Sequence, residues 1–217
     1  MKISESNAYL SEWKYVEIAR YVPSLHKVVR QKNGDKPVMI NVNSIDDFRK
    51  SNGNTGLYTS VWWYNSTDIE SAIRLGPLYF DIDNEDLDVS ILETQKLYSY
   101  LLKYIPEDSI LVFFTGKKGF HIECEPIALG INPSNNLYNI FRFIATTLKE
   151  KLHLTSIDFS VYDQRRMWRL QGSAHQETGL FKTLISKDIL FSDKNHILDY
   201  SRVEREISIK DQTFNAT

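Results

Sequence analysis

Two aspartates, Asp81 and Asp83, stand at alternate positions in the stretch YFDID, which runs from Tyr79 to Asp83. Residues two apart in a β-strand point to the same face, so both carboxylates are expected to project together. Like charges at this spacing repel, and a cation between them removes the repulsion. Carboxylate oxygens are the ligands that Mg²⁺ and Mn²⁺ prefer, so the pair predicts a divalent metal site. The alternative is an acidic, solvated turn that follows a buried strand.

A second candidate is the segment TGKKGFHIE, which runs from Thr115 to Glu123. A turn flanked by glycines exposes backbone N–H groups that can form an anion-binding nest, and two lysines add positive charge. His121 stands at the start of the next predicted strand, where it can donate to a phosphate. The spacing is not that of a Walker A loop. The alternative is an ordinary β-hairpin turn with two solvated lysines.

The third candidate is the segment from Ser156 to Gly179, in which an aspartate follows an apolar residue and is itself followed by arginines and a histidine. These polar residues are Asp158, Arg165, Arg166, Arg169 and His175. The planar guanidinium of arginine binds phosphate through two parallel hydrogen bonds. The alternative is a surface segment whose arginines pair with nearby aspartates.

The three segments together supply what nucleotidyl transfer needs. Asp81, Asp83 and Asp158 are expected to hold two divalent ions beside a cradle for a triphosphate. One ion activates a 3′-hydroxyl, and the other stabilises the leaving pyrophosphate.

The elements that position these residues follow from apolar patterns and turn signals. Strands are predicted at Lys36–Val42, Leu57–Tyr64, Leu78–Ile82, Ile110–Phe114, Phe120–Cys124 and Thr178–Ser186. Helices are predicted within Glu5–Val29 and at Ile45–Arg49, Asp68–Arg74, Asp86–Ile105 and Asn132–Leu152, and residues after Gln212 are expected to fray. This order of elements is typical of an α+β fold with a mostly antiparallel sheet.

Composition indicates a globular, cytoplasmic protein with no membrane association. The chain has 217 residues, a net charge of −2 and 42% hydrophobic residues, enough for one large domain. No apolar run reaches the ~18 residues that span a membrane. Cys124 is the only cysteine, which excludes an intramolecular disulfide and a cysteine zinc cluster. We expect a single domain over residues 1–217, with an N-terminal module of about 1–70 and a catalytic module of about 71–217.

In their order along the chain, these motifs resemble the archaeo-eukaryotic primase superfamily, in its catalytic small-subunit type, which includes primase-polymerases. A hydrophobic run followed by DxD is matched at Phe80–Asp83, and the Gly-x-x-Gly-aromatic-His motif at Thr115–His121. The hydrophobic-Asp motif is matched at Ile157–Asp158. The family's RLxRLPGSLHGKTG is similar to RMWRLQGSAHQETG, Arg166–Gly179, without a gap.

The resemblance covers about half of the chain, from Tyr79 to about Leu180, and it implies roles for individual residues. Asp81, Asp83 and Asp158 bind two Mg²⁺ or Mn²⁺ ions and are catalytic. The incoming NTP or dNTP is bound by Thr115, Gly116, Lys117, Gly119, His121, Arg169, Ser173 and His175. The family fold pairs an RRM-like catalytic sheet with an N-terminal α/β module.

The implied activity is template-directed synthesis by a primase or DNA polymerase, with single-stranded DNA as template. Arg165, Trp62 and Trp63 are candidates to follow the template, although core packing is the more usual role of tryptophan. The family's lysine two residues after the last histidine is Glu177 here, and no zinc-binding insertion is present. A helicase or an accessory primase domain is therefore a candidate partner. A two-metal nuclease and a non-catalytic nucleic-acid-binding module remain alternatives.

Overall fold

The computed structural model describes residues 12–205, and these residues form three β-sheets and five α-helices. The strands are β1 (Tyr15–Val22), β2 (Lys27–Arg30), β3 (Lys32–Asn33), β4 (Lys36–Pro37), β5 (Met39–Asn41), β6 (Leu57–Ser60), β7 (Trp63–Tyr64), β8 (Arg74–Leu75), β9 (Leu78–Asp83), β10 (Ile110–Phe114), β11 (Gly119–Cys124), β12 (Met167–Arg169) and β13 (Thr183–Ile185). The helices are α1 (Ile45–Ser51), α2 (Leu87–Leu101), α3 (Leu137–Leu152), α4 (Lys187–Leu190) and α5 (Lys194–Tyr200). The predicted fraying after Gln212 and the first residues of the predicted N-terminal helical region lie outside the described residues.

The four-stranded sheet has the order β13-β10-β11-β9, and all of its strand pairs are antiparallel. Helices α2 and α3 pack on it and on each other. The chain returns after α3 to the free edge of β9, where Ile157 forms an antiparallel bridge with Ile82. With Ile157 in the place of a final strand, the order is β-α-β-β-α-β, the ferredoxin-like arrangement. This topology brings Asp158 beside Asp81, although 77 positions separate them in the sequence.

Alternation along β9 separates the core from the candidate acids. Phe80 and Ile82 are fully buried in the main hydrophobic core, which also contains Leu97 of α2 and Phe141 of α3. Asp81 lies on the opposite face, where it is in register with His121 of β11. The apolar positions therefore fix which face carries the polar groups.

The seven-stranded sheet is centred on β1, which pairs with β2, β5, β6 and β7, while β12 and β8 lie at the ends. One of its faces contributes Val16, Ile18 and Leu57 to a smaller core with Ile45 and Phe48 of α1. Strand β12 comes from the C-terminal half of the chain and pairs with β6, so this sheet contains strands from both predicted modules. The module boundary near residue 70 stays a prediction.

The α+β fold class with a mostly antiparallel sheet is confirmed. The predicted helix before Val29 is wrong over the described residues, because β1 occupies Tyr15–Val22. Both of its faces are covered, and even Glu17 is fully buried, so the polar-apolar alternation of a half-exposed strand is absent.

Two further predictions are corrected. Asp68–Arg74 is not a helix: a single turn, closed by the Ala72 N–H donating to the Asp68 carbonyl at 2.9 Å, leads into β8. The predicted strand Leu57–Tyr64 is two strands, because Trp62 turns into the core and packs on Tyr79 and Phe141.

The predicted strand Lys36–Val42 is also two strands, β4 and β5, which belong to different sheets. The remaining predicted elements are present, with shifted ends. Helix α3 starts at Leu137 instead of Asn132, and β13 covers only Thr183–Ile185 of the predicted strand Thr178–Ser186. Within residues 12–205, none of the helices combines the length and the apolar composition needed to cross a membrane.

Candidate active site

A cavity of about 210 Å³ opens where the end of β9 meets β6 and β12. Its wall contains seven of the predicted site residues: Asp81, Asp83, Thr115, Lys117, His121, Arg169 and His175. It also contains Lys118 and Arg166, which belong to the candidate segments, and three residues that the sequence did not indicate for this role, namely Tyr58, Met167 and Trp168. The predicted residues Gly116, Gly119, Asp158 and Ser173 lie around this cavity without being part of its wall.

The two predicted glycines permit close backbone approaches. A Cβ atom on Gly119 would lie 2.4 Å from the Ile82 carbonyl oxygen, and one on Gly116 would lie 2.6 Å from the Leu180 carbonyl oxygen. Gly116 also has a φ of +90°, a conformation that favours glycine. The Thr115 hydroxyl donates to the Gly119 carbonyl at 3.0 Å and closes the turn. These residues therefore hold the turn against β9 and against the segment that carries His175.

Asp158 is held beside Asp81 by the backbone. The Asp158 N–H donates to the Asp81 carbonyl at 2.9 Å, and the Asp83 N–H donates to the Ser156 carbonyl at 2.8 Å. The Asp158 carboxylate accepts from the N–H of Ser160 at 2.8 Å and from its hydroxyl at 2.9 Å. The side chain of Asp158 thus caps the 3₁₀-helix Phe159–Val161.

The three acids interact electrostatically. Burial, followed by the charges of Asp158 and Asp83, raises the pKa of Asp81 to about 7. Burial is the largest cause of this shift, and the two neighbouring aspartates add negative potential that a cation would relieve. Hard oxygen donors in such surroundings fit Mg²⁺ or Mn²⁺. Within residues 12–205, however, no three His, Cys, Asp or Glu side chains are arranged to hold a metal ion. The ready ligands are therefore Asp81 and Asp83, and Asp158 is the third acid, whose carboxylate oxygens each already accept one hydrogen bond from Ser160.

His121 lies next to Asp81, with 3.8 Å between its Nε2 and the Asp81 Oδ2. Its ring stacks on Trp168, with 3.8 Å between centroids. Its Nδ1 is buried, and no described residue is hydrogen-bonded to it. Burial, followed by the charge of Lys182, holds the pKa of His121 well below its usual range. The site thus contains a neutral imidazole with an unused polar atom.

His175 has a defined tautomer. The Glu177 N–H donates to its Nδ1 at 3.1 Å, which leaves the proton on Nε2, where it can be donated to a ligand. Burial, followed by the charge of Arg169, lowers the pKa of His175 to about 4. His175 is therefore a neutral hydrogen-bond donor near pH 7.

Both lysines of the turn are paired with acids. Lys117 forms an ion pair with Glu177 at 2.5 Å. Glu177 stands at the position where the motif RLxRLPGSLHGKTG has lysine. Lys118 pairs with Glu85 at 2.5 Å and lies 3.6 Å from Asp83. All of these side chains are at least partly exposed, so an incoming anion can compete for the lysines at little cost.

Arg169 is held by neutral partners. Its guanidinium donates to the Tyr58 hydroxyl at 3.0 Å and to the Gln176 Oε1 at 3.2 Å. Tyr58 was missed because its place in the site depends on the β6–β12 register, which pairs it with Arg169 and has no local signal in the sequence. Ser173 is fully buried, and its hydroxyl accepts from the Leu57 N–H at 3.1 Å. Its contacts are those of a residue that fixes the loop.

The candidate template residues are found in different surroundings. Trp62 is 1% exposed and belongs to the core. Trp63 is partly buried and packs at the edge of the smaller core. Arg165 is partly exposed and forms an ion pair with Glu17 at 2.7 Å.

No protein-family model matches the chain, and no curated protein sequence matches it. Its fold, however, is similar to known structures. One is the polymerase domain of ligase D from Mycobacterium tuberculosis in complex with DNA, with a TM-score of 0.53, 11% identity, and coverage of 87% of this chain and 81% of that chain. Another is the catalytic domain of the primase Repb′ in complex with initiator DNA, with a TM-score of 0.45, 12% identity, and coverage of 86% and 85%. The first likeness shows that the chain shares its fold with the polymerase domain of a ligase D.

Proposed function

We propose that this protein is a template-directed nucleotidyltransferase, a primase or DNA polymerase that uses NTPs or dNTPs. The observation that carries the proposal is the composition of one cavity wall. Asp81 and Asp83 lie in the same cavity as the Thr115–Gly119 turn, His121, Arg169 and His175. Surplus negative charge beside donors suited to phosphate is what a metal-bound triphosphate requires.

We assign the following roles, which the geometry of the cavity supports. Asp81 and Asp83, with Asp158 as the third acid, would hold two Mg²⁺ or Mn²⁺ ions. When bound, the ions supply activation of the attacking hydroxyl and charge neutralisation at the phosphates. His175 donates its Nε2–H to the triphosphate, and its pKa of about 4 keeps it a neutral donor at pH 7.

Arg169 and the turn complete the phosphate site. Arg169 contacts no carboxylate within hydrogen-bond distance in the described part of the chain, so its charge is available to an anion. Lys117 leaves Glu177 to bind a phosphate, which costs little because the pair is exposed. Ser173, Gly116 and Gly119 act by holding the loops that bear these groups.

The partners of this reaction are a single-stranded DNA template and a nucleotide, and a helicase or an accessory primase domain is a candidate partner for initiation. The shared fold with the polymerase domain of a ligase D, which is in complex with DNA, supports DNA as the template.

The test is nucleotide incorporation on single-stranded DNA, with and without a primer, comparing NTPs with dNTPs and Mg²⁺ with Mn²⁺. Wild-type protein is compared with Asp81→Asn/Asp83→Asn and with Asp108→Asn, a matched change at an exposed aspartate outside the cavity. We expect products from the wild type and Asp108→Asn only. Nucleotide binding, followed through the fluorescence of Trp168 in the cavity wall, gives a readout that is independent of turnover.

The alternatives give different results in the same assay. Shortening of the labelled strand instead of extension would identify a two-metal nuclease. Binding of DNA with neither extension nor shortening under any condition would identify a non-catalytic module. Synthesis by the double variant would refute the assignment of the acids.

A further inference from the structure

One face of the seven-stranded sheet carries a row of residues that leads away from the cavity. Arg169 of β12 is in register with Tyr58 of β6, Tyr58 with Ala19 of β1, and Ala19 with Arg30 of β2. Directly paired residues of antiparallel strands share a face, so these four lie on the same side of the sheet. The row crosses four strands and is therefore about 14 Å long. We call this side, which is opposite the face packed on α1, the arginine face.

Two arginines on this face share one carboxylate. Glu17 precedes Ala19 by two positions and lies on the same side, with its side chain fully buried. Its carboxylate contacts Arg165 at 2.7 Å and Arg30 at 3.5 Å, and Arg30 also donates to the Arg165 carbonyl. The side chains of Arg30 and Arg165 are 31% and 37% exposed. Two partly exposed guanidiniums thus share one carboxylate in direct contact, and Glu70 adds a weaker electrostatic interaction with Arg165.

Arg169 adds a further positive charge at the other end of the row. Its polar partners, Tyr58 and Gln176, are neutral. Arg166 contributes none, because it lies 3.7 Å from Asp163 and forms an ion pair with it. In direct contact, Arg30, Arg165 and Arg169 are matched by one carboxylate, Glu17, and Glu70 and Glu177 reduce the surplus of positive charge from a greater distance.

The arginine face is continuous with the candidate active site. Tyr58 and Arg169 belong both to the row and to the cavity wall. Met167, two positions before Arg169 on β12, lies on the same side of the sheet and also lines the cavity. Ala19, in the middle of the row, is fully buried, and Tyr58 is 9% exposed. A polyanion that reaches the cavity would therefore extend toward Arg30 over the side chains that cover these two residues.

We propose that the arginine face binds the single-stranded nucleic acid that serves as template, with phosphates contacting Arg30 and Arg165. This inference rests on the proposed function, since it assigns a surface to the partner of that site. A guanidinium has five donors, so an edge engaged by Glu17 leaves others for a phosphate oxygen. The buried carboxylate holds both guanidiniums in place before binding, which reduces the entropy lost when the strand is bound.

Arg30→Gln is the variant that tests this surface, because Glu17 keeps its shorter contact with Arg165. Lys27→Gln is the matched control: it lies three residues away on the same strand, has the same charge change, and faces the opposite side of the sheet. Binding of a fluorescein-labelled single-stranded oligonucleotide is measured by anisotropy at several KCl concentrations. Thermal unfolding of both variants verifies that they are folded.

We expect Arg30→Gln to weaken binding about fivefold and to reduce the slope of log K against log[KCl] by about 0.7, the value for one lost contact with a single strand. Lys27→Gln should leave the affinity and the slope unchanged. Equal weakening by both variants would overturn the proposal, because it would indicate a diffuse charge effect. Loss of duplex binding by Arg30→Gln with single-strand binding intact would overturn it too.

Failure of the proposed function is recognised separately. If the wild type makes no product while the two variants still differ in binding, the catalytic assignment fails and the surface stands. If synthesis depends on Asp81 and Asp83 but the two variants bind alike, the surface assignment fails and the function stands.

Discussion

The acid cluster at the end of β9 and the arginine face of the seven-stranded sheet border the same cavity, but their unmatched charges have opposite signs. At β9, burial and two neighbouring aspartates raise the pKa of Asp81 to about 7. On the arginine face, the fully buried Glu17 is held by two arginines. One acid is thus in surplus negative potential, and the other is in surplus positive potential.

The difference teaches that burial of a carboxylate does not by itself decide its effect on stability. Ionised Asp81 costs free energy in the metal-free protein, because it is buried and its neighbours include like charges. Glu17 stabilises the fold, because removal of its charge leaves two guanidiniums without their shared partner. A cluster of charged side chains that lack counter-charges near a cavity is a candidate ligand site. The ligand is expected to carry the opposite charge.

The largest effect is expected at the acid cluster. Asp81→Asn should reduce nucleotide incorporation by at least about 10³-fold, because outer-shell partners of metal ligands alone account for about 10- to 100-fold. The same change removes a repelled charge, so the metal-free protein should be at least as stable as the wild type. Incorporation assays and urea unfolding in EDTA measure the two quantities.

Asp108→Asn is the control for both quantities, since Asp108 is exposed and outside the cavity. A decrease in stability of Asp81→Asn by more than about 1 kcal/mol would show that Asp81 is matched by a partner, and the contrast with Glu17 would then disappear.

This contrast also separates what the sequence could and could not predict. Asp81, Asp83 and the β10–β11 hairpin follow from local alternation and turn chemistry, which act over a few residues. Asp158 joins them through the register of Ile157 with Ile82, which local patterns do not encode. The prediction that Asp158 lies with the other two acids came from combining three distant segments and from the resemblance to known motifs, and not from a local pattern.

The arginine face was not predictable from local patterns. Strand β1 has no alternation because Glu17 is buried with the apolar residues around it, so its segment was interpreted as helical. The charges that match Glu17 come from β2 and from the segment before β12, 13 and 148 positions away. Only the assembled sheet shows that a polar face exists there.

The second prediction concerns Glu17, the buried carboxylate whose charge is expected to stabilise the fold. Glu17→Gln should lower the free energy of unfolding by about 3 kcal/mol, because it breaks a buried ion pair. Arg165→Gln should cost more than Arg30→Gln, since Arg165 makes the shorter contact, 2.7 Å against 3.5 Å. Urea unfolding of the three variants gives the order. Equal costs for the two arginines would argue against the geometry of the shared carboxylate.

The buried ion pair of Lys182 with Glu123 is a third case, in which one positive charge meets one negative charge. Lys182 is 3% exposed, lies 3.3 Å from Glu123, and has its Nζ 5.0 Å from the centroid of the Trp168 ring. Lys182→Met should cost about 2 kcal/mol, because Glu123 is left without its partner. Since a matched pair can be replaced as a unit, Lys182→Met/Glu123→Gln should recover at least about 1 kcal/mol of this loss. Additive costs in a double-mutant cycle of urea unfolding would contradict this.

The smallest effect is the pH dependence contributed by His175, a group with no surplus charge of its own. Its pKa is about 4 in the folded protein and about 6.5 when unfolded, so the unfolded chain binds more protons between these values. The stability that neutral His175 contributes is therefore present above pH 6.5 and is lost as the pH falls toward 4. Because His175 borders the cavity, where solvent screens its charge, we expect a loss of about 1 kcal/mol.

Urea unfolding at a series of pH values should show this loss in the wild type and a flatter profile in His175→Gln. His196→Gln, a matched change at an exposed histidine of α5, controls for the loss of a histidine from the chain. A profile of His175→Gln that parallels the wild type would mean that His175 is solvated as freely in the folded protein as in the unfolded chain. It would then lack the fixed Nε2–H donor that the proposed phosphate site needs. The cavity would offer one hydrogen-bond donor fewer to a phosphate bound beside the acid cluster.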